Sequence, residues 1–181
     1  MRSDSALTES SLHFVFVHFQ TLSPSATQYF NKHTSSLAEL AAGGLIELLD
    51  HMAAGIVHNG IAVIRPPGHH AECHKSMGFC VYNNVAVAIN AARAQHPHEF
   101  KKVLIVDWDV HHGNGSQNTF YDDPNVLFFS IHRSDNGMFY PGTGFRDECG
   151  RGAGRGFNLN VPLPGPGLGD WEYVQTWCVC E

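Results

Sequence analysis

The sequence predicts an α/β protein built on an open parallel sheet with helices on both faces. Three observations carry that expectation. Short continuous apolar runs, at 61–64, 103–106 and 125–131, have the length of strands and the unbroken hydrophobicity of strands buried on both sides. Stretches with helical apolar spacing alternate with them. Polar residues gather directly after the runs, in RPPGHH, DWDVHHGNG and SIHR. In a parallel sheet the carboxyl ends of the strands form one rim, and ligands bind there.

Each element has its own signal. LHFVFVHF, 12–19, reads as a buried strand or as a piece of a hydrophobic leader region; it lacks the basic start and small-residue cleavage site of a signal peptide. From Thr34 onward, Leu37, Leu40, Ala41, Leu45, Leu48, Leu49 and Met52 recur at three- and four-residue spacing, one face of a helix. Ser36 and Glu39 offer a capping box at its start, and Gly55 a stop. The strand at 61–64 is ended by two prolines and a glycine, and Asn83 or Asn84 caps a second helix, from Val85 to about Ala94.

The second strand, 103–106, is rich in β-branched residues, and a short helix follows the turn at Gly115. The third, 125–131, ends in His132. Glycine-rich loops, PGTG, GRGAGRG and PLPGPGLG, then surround a strand at 157–161, and DWEYVQTWCV forms a helix from Asp170. These glycine runs match neither the dinucleotide GxGxxG nor the phosphate-binding GxxxxGK[ST] pattern.

The totals bound the function. A chain of 181 residues, 43% hydrophobic and 15% charged, has room for one domain with a real core. A net charge of −6 argues against direct binding of nucleic acid through a basic surface, and no run has the length of a membrane span. The five cysteines are odd in number and without framework spacing, which indicates reduced thiols and a location in the nucleus, the cytoplasm or both. Thirteen histidines point to metal or acid–base chemistry.

That chemistry concentrates in VLIVDWDVHHGNG. Side chains alternate along an extended segment, so Asp107, Asp109 and His111 share one face, with Trp108 and Val110 on the other. Neighbours on that face stand roughly 6–7 Å apart at their α-carbons, close enough for Asp109 and His111 to converge on one metal. A carboxylate with an imidazole suits a catalytic zinc with an open position. Asp107, further back, orients a histidine or helps hold another cation. His69 and His70, after the first strand, supply an acid and a base for splitting an amide. His132 reads as structural, His96 and His98 as exposed loop residues, Cys73-His74 as plain loop, and Cys178 and Cys180 as incidental thiols.

RPPGHHAE, MGFCVYNNVAVA, VDWDVHHGNGSQ, SIHR and FYPGTG, in this order, resemble the zinc-dependent histone deacetylase family, most of all its class II branch. The likeness runs from about Tyr29 to Tyr173 and implies the arginase/deacetylase-like form of the fold. It implies that Asp109 and His111 are zinc ligands. His69 and His70 become the pair that activates water and protonates the leaving lysine amine, with Asp107 supporting His69. Asn114 stands where class I enzymes have a second supporting carboxylate; asparagine there is the class II pattern. The backbone carbonyls of Asp107, Asp109, His111 and Ile131, with the Ser130 hydroxyl, match the family's potassium site. Gly78, Phe79 and Tyr140 would line the channel for an acetylated lysine of a histone or another protein. Corepressor or deacetylase partner proteins follow from the same likeness.

Part of the family pattern is missing. Its third zinc ligand is an aspartate in a later SxGFD-like motif, and none of Asp135, Asp147, Glu148, Asp170, Glu172 and Glu181 has that context. The later glycine-rich loop with the oxyanion-donating tyrosine or histidine is absent too, and no acid occurs between Glu9 and Glu39 to serve as the rim aspartate. The expectation is a divergent segment at 1–28 followed by a partial deacetylase domain at 29–181, truncated at its C-terminal side and with an incomplete active site. The alternatives are a non-catalytic truncated isoform that binds or competes for partners, and another metallohydrolase such as an acetylpolyamine amidohydrolase or an arginase-like enzyme.

Overall fold

The computed structural model describes residues 14–18 and 29–180. Five strands and four helices alternate along it: β1 (Phe14–His18), α1 (Thr34–Ala53), β2 (Asn59–Val63), α2 (Asn84–Gln95), β3 (Val103–Asp107), α3 (Asn114–Phe120), β4 (Val126–Arg133), β5 (Asn158–Leu163) and α4 (Asp170–Cys180). Every strand pairing is parallel, as expected, but β2 and β3 are not buried on both sides: Ile61, Val63 and Leu104 are exposed, and only β4 is covered nearly throughout. The strands fall into two hydrogen-bonded groups, β1–β2 and β3–β4–β5. Among the described residues no backbone ladder joins the two groups.

Helix α1 buries Ala38, Ala41, Ala42, Leu45, Leu49 and Met52. That stripe is rotated from the one the leucines suggest, and Leu37 and Leu40 face outward. Leu45, Leu49 and Met52 of α1 share a core with Ala88 and Ala92 of α2, Ala62 of β2 and Phe100, and the small alanines of α2 let the two helices approach. The expected capping box is not made: the helix starts at Thr34, and the Ser36 hydroxyl donates to the His33 carbonyl at 3.0 Å. Gly55 does stop the helix; at φ +70° it donates its N–H to the Met52 carbonyl. Of the two candidate caps of α2, Asn83 is the one used, its side chain accepting the Ala86 N–H at 3.1 Å.

A second core joins Ala86 and Ile89 of α2 to Phe120 of α3 and Val126 of β4, with Val103 and Ile105 of β3 against it. Alternation places Phe129 on the opposite side of β4 from Phe128, and there Trp177 of α4 packs on it with ring centroids 5.7 Å apart. Helices therefore cover both faces of this sheet, as expected of an α/β fold. No helix among the described residues is long and apolar enough to cross a membrane.

Candidate active site

The carboxyl ends of β2, β3 and β4 feed one rim. Asp107 is the last residue of β3, and the strand's alternation continues past it. Asp107 is buried and Asp109 and His111 are half-buried, while Trp108 and Val110 are exposed. The Asp107 carboxylate is used twice: Oδ2 lies 2.9 Å from His69 Nδ1, and Oδ1 accepts the Asp109 N–H at 3.1 Å. Asp109 Oδ1 in turn accepts the His111 N–H at 2.7 Å and lies 3.1 Å from His111 Nδ1. This ladder of carboxylates over backbone N–H groups folds the turn and brings Asp109 and His111 together.

The segment after β2 delivers the other half. The His69 carbonyl accepts the N–H groups of Gly115 and Ser116, which docks the start of α3 against it. His69 and His70 are both buried, with ring centroids 4.0 Å apart. His70 Nδ1 lies 2.8 Å from Asn114 Oδ1, so each histidine has its own partner. Two glycines are required by contact. A Cβ on Gly78, at φ +56°, would stand 2.2 Å from the His70 ring, and one on Gly113 would stand 2.2 Å from Asp107 Oδ2. Phe79, half-buried, shares the left-handed conformation of Gly78.

The different partners tune the two rings in opposite directions. Burial pushes His69 down, yet the charge and hydrogen bond of Asp107 outweigh it and raise His69 above its ordinary value. His70 has only a neutral amide beside it. Burial, reinforced by the positive charge of His69, lowers it to about 3. Burial pushes Asp109 up, but hydrogen bonds from His111 and the charge of His69 bring it below its usual range, so it is ionised. Tyr140 is raised by burial and stands edge-on to both His70 and His111, at 5.0 and 6.0 Å between centroids.

Asp109 and His111 form a convergent oxygen–nitrogen pair of the kind zinc takes. No third His, Cys, Asp or Glu joins them among the described residues. Ser130 and Ile131 lie on β4 beside β3, Ser130 in register with Asp107, and both are buried. The Ser130 hydroxyl faces His132 Nδ1 at 2.9 Å, while His132 Nε2 meets the Gly144 carbonyl at 3.0 Å. A carbonyl only accepts, so Nε2 carries the proton and Nδ1 accepts from Ser130. The lone pairs of the Ser130 oxygen stay available. His132 is thus a satisfied, buried histidine, as read from the sequence.

Several contributors lie beyond what single-residue patterns reveal. The Phe139 ring stacks on His111 at 4.9 Å and 7°, and the Arg133 guanidinium lies over the Phe139 ring, 4.2 Å from its centroid. Behind the FYPGTG loop, buried His112 binds Thr143 Oγ1 at 2.8 Å and Gln117 Oε1 at 3.0 Å. Asn158 and Asn160 donate to the same Gln117 oxygen. Glu148 accepts from the Gln117 amide and from the N–H groups of Gly144 and Phe145. The one signal for this layer was the polar alternation of Asn158 and Asn160 within an otherwise apolar strand.

The geometry has counterparts elsewhere. The model of the histone deacetylase domain family matches residues 3–178. Histone deacetylase 4 of Caenorhabditis briggsae is 53% identical over 150 residues, which cover 82% of this chain and 17% of that protein. Histone deacetylase clr3 of Schizosaccharomyces pombe is 47% identical over 169 residues, covering 92% of this chain and 24% of that protein. Histone deacetylase 5 of Arabidopsis thaliana is 49% identical over 152 residues, covering 82% and 23%. The chain thus spans about a quarter or less of the length of these curated relatives. Among solved structures, the crystal structure of the HDA15 HD domain superposes with a TM-score of 0.80 at 47% identity, covering 85% of this chain and 43% of that one. With a family model over nearly its whole length and relatives at about half identity, the chain belongs to the histone deacetylase family.

Proposed function

We propose that this chain carries the water-activating half of a zinc-dependent protein lysine deacetylase site, which hydrolyses the amide of an acetylated lysine on a histone or another protein. The observation that carries the reading is the adjacent pair of oppositely tuned histidines beside Asp109 and His111. Asp109 and His111 would hold the zinc, which when bound polarises the acetyl carbonyl and a water. His69, raised toward its cationic form by Asp107, would supply positive charge where the oxyanion develops. His70, neutral and with Nε2 free, accepts the proton of the attacking water and returns it to the departing amine. Gly78 leaves room beside the His70 ring, and Phe79 and Tyr140 give apolar walls to a lysine methylene stem. Potassium, at the Ser130 hydroxyl and the carbonyls of Asp107, Asp109, His111 and Ile131, would brace the turn that holds the ligands. The free Ser130 lone pairs support that assignment.

A nuclear or cytoplasmic place, with corepressor or deacetylase partner proteins, fits this chemistry. The second reading is a non-catalytic chain that occupies partner surfaces of the complete domain. It is favoured by the two-donor set among the described residues. Zinc content of the dialysed chain, together with acetate release from an acetyl-lysine peptide, tests whether this chain holds half of the site or all of it. The half-site reading expects zinc well below one per chain, lowered further by Asp109→Asn, and no acetate from the chain alone. One zinc per chain with turnover would overturn it in favour of a complete site, and zinc binding indifferent to Asp109→Asn would remove Asp109 from the metal.

A further inference from the structure

We infer that Glu72 is a positioning residue that sets the hydrogen-bonding sense of the Asn114–His70 pair and so fixes which nitrogen of His70 carries the proton. The inference rests on His70 serving as the base of the site proposed above. Asp107, the partner of His69, is a carboxylate and can only accept, so the sense of that pair needs no further control. Asn114 is different. Its amide can offer either an oxygen or an NH2 group, and the two orientations have nearly the same shape. With NH2 toward His70, Nδ1 would accept, Nε2 would be protonated, and the ring could take no proton from a water.

The structure holds the amide the other way. Asn114 Nδ2 donates to Glu72 Oε1 at 2.8 Å, and Asn118 Nδ2, one turn further along α3, donates to the same oxygen at 2.9 Å. The Glu72 carboxylate cannot donate, so the Asn114 oxygen is left to face His70 Nδ1 at 2.8 Å. Longer approaches of the same NH2 group to the His70 carbonyl, 3.5 Å, and Met77 Sδ, 3.6 Å, agree in sense but are weaker. Glu72 is itself steadied by a tight backbone bridge to Lys75, with the Glu72 N–H donating to the Lys75 carbonyl at 2.9 Å. His70 is thereby held as the Nδ1–H tautomer with its Nε2 lone pair free.

Long-range proton–nitrogen correlation spectra of the full chain, labelled at histidine and assigned with His70→Gln, read the tautomer without any need for turnover. The wild type is expected to show His70 protonated at Nδ1 alone near neutral pH. Glu72→Gln retains an accepting oxygen and should preserve that state. Glu72→Ala and Glu72→Lys remove the acceptor and should give a mixture of tautomers. A wild-type His70 protonated at Nε2 overturns the inference before any variant is made, and so does an unchanged single tautomer in Glu72→Ala or Glu72→Lys. Tautomer loss in a chain whose zinc binding is indifferent to Asp109→Asn would uphold the role of Glu72 while rejecting the metal site on which the deacetylase reading stands.

Discussion

The rings of His69 and His70 lie side by side, yet one is raised and the other depressed. Burial lowers both, but the Asp107 carboxylate outweighs it at His69, whereas at His70 the charge of His69 adds to it and the Asn114 amide does not offset it. This has a consequence for acid stability. His70, at about 3, and His112, at about 4, have folded values below the 6.5 of the unfolded chain. Their contribution is complete above the unfolded value and is lost as pH falls from there toward the folded values, because the unfolded chain takes up protons that the native one refuses. His69 is raised and acts in the opposite sense, its contribution present at low pH and lost as pH rises through its folded value. His132 is depressed by burial as well, so three buried histidines lose their contribution on acidification and one gains it. Urea titrations at pH 7 and pH 5 should show lower stability at pH 5, with each titrating histidine setting a slope of about 1.4 kcal/mol per pH unit. A higher urea midpoint at pH 5 than at pH 7 would contradict the assignment of His70 and His112 as buried neutral rings.

Among the elements, α2 is the one that ties strands to site, since it bounds both cores and begins one residue after the cap Asn83. Asn83 accepts from Ala86 and also donates to Ser116 of α3 at 3.1 Å. Asn83→Ala is expected to cost about 1–2 kcal/mol, read as a lowered thermal midpoint, and Asn83→Ser to recover part of it. The sequence made the order and type of the elements legible because a parallel sheet leaves unbroken apolar runs at Val103 and Val126, and because proline and asparagine punctuate them. The rotated face of α1 was hidden, since leucine spacing alone gives no weight to the alanines that the helix buries. The rim cluster was legible as far as alternation reaches, from Asp107 to His111. Glu72, Phe139, Glu148 and the Gln117 layer were not, because their partners lie 28 or more residues away or on loops whose course no periodicity describes.

At the scale of the whole molecule, the uncovered parts of the sheets carry apolar side chains. Val63 is 77% exposed, Ile61 70% and Leu104 52%, on strands that each lie at an end of their strand order among the described residues. Exposed strands of this composition associate with one another. Light scattering on the purified chain should show association that grows with concentration, and Ile61→Thr with Val63→Thr should reduce it at equal concentration. A wild-type chain that stays monomeric throughout would contradict this. The site has a further meaning at this scale. His69 and His70 extend from the β1–β2 block, while Asp107, Asp109, His111 and Asn114 extend from the β3–β5 block. Two blocks with separate backbone ladders therefore meet at the residues proposed above to do the chemistry, so the candidate site is also the seam of the molecule. Selection on such a seam acts twice: a change that slackens it lets the blocks drift as well as spoiling the reagents, and a ligand that grips both sides is a brace as much as a guest.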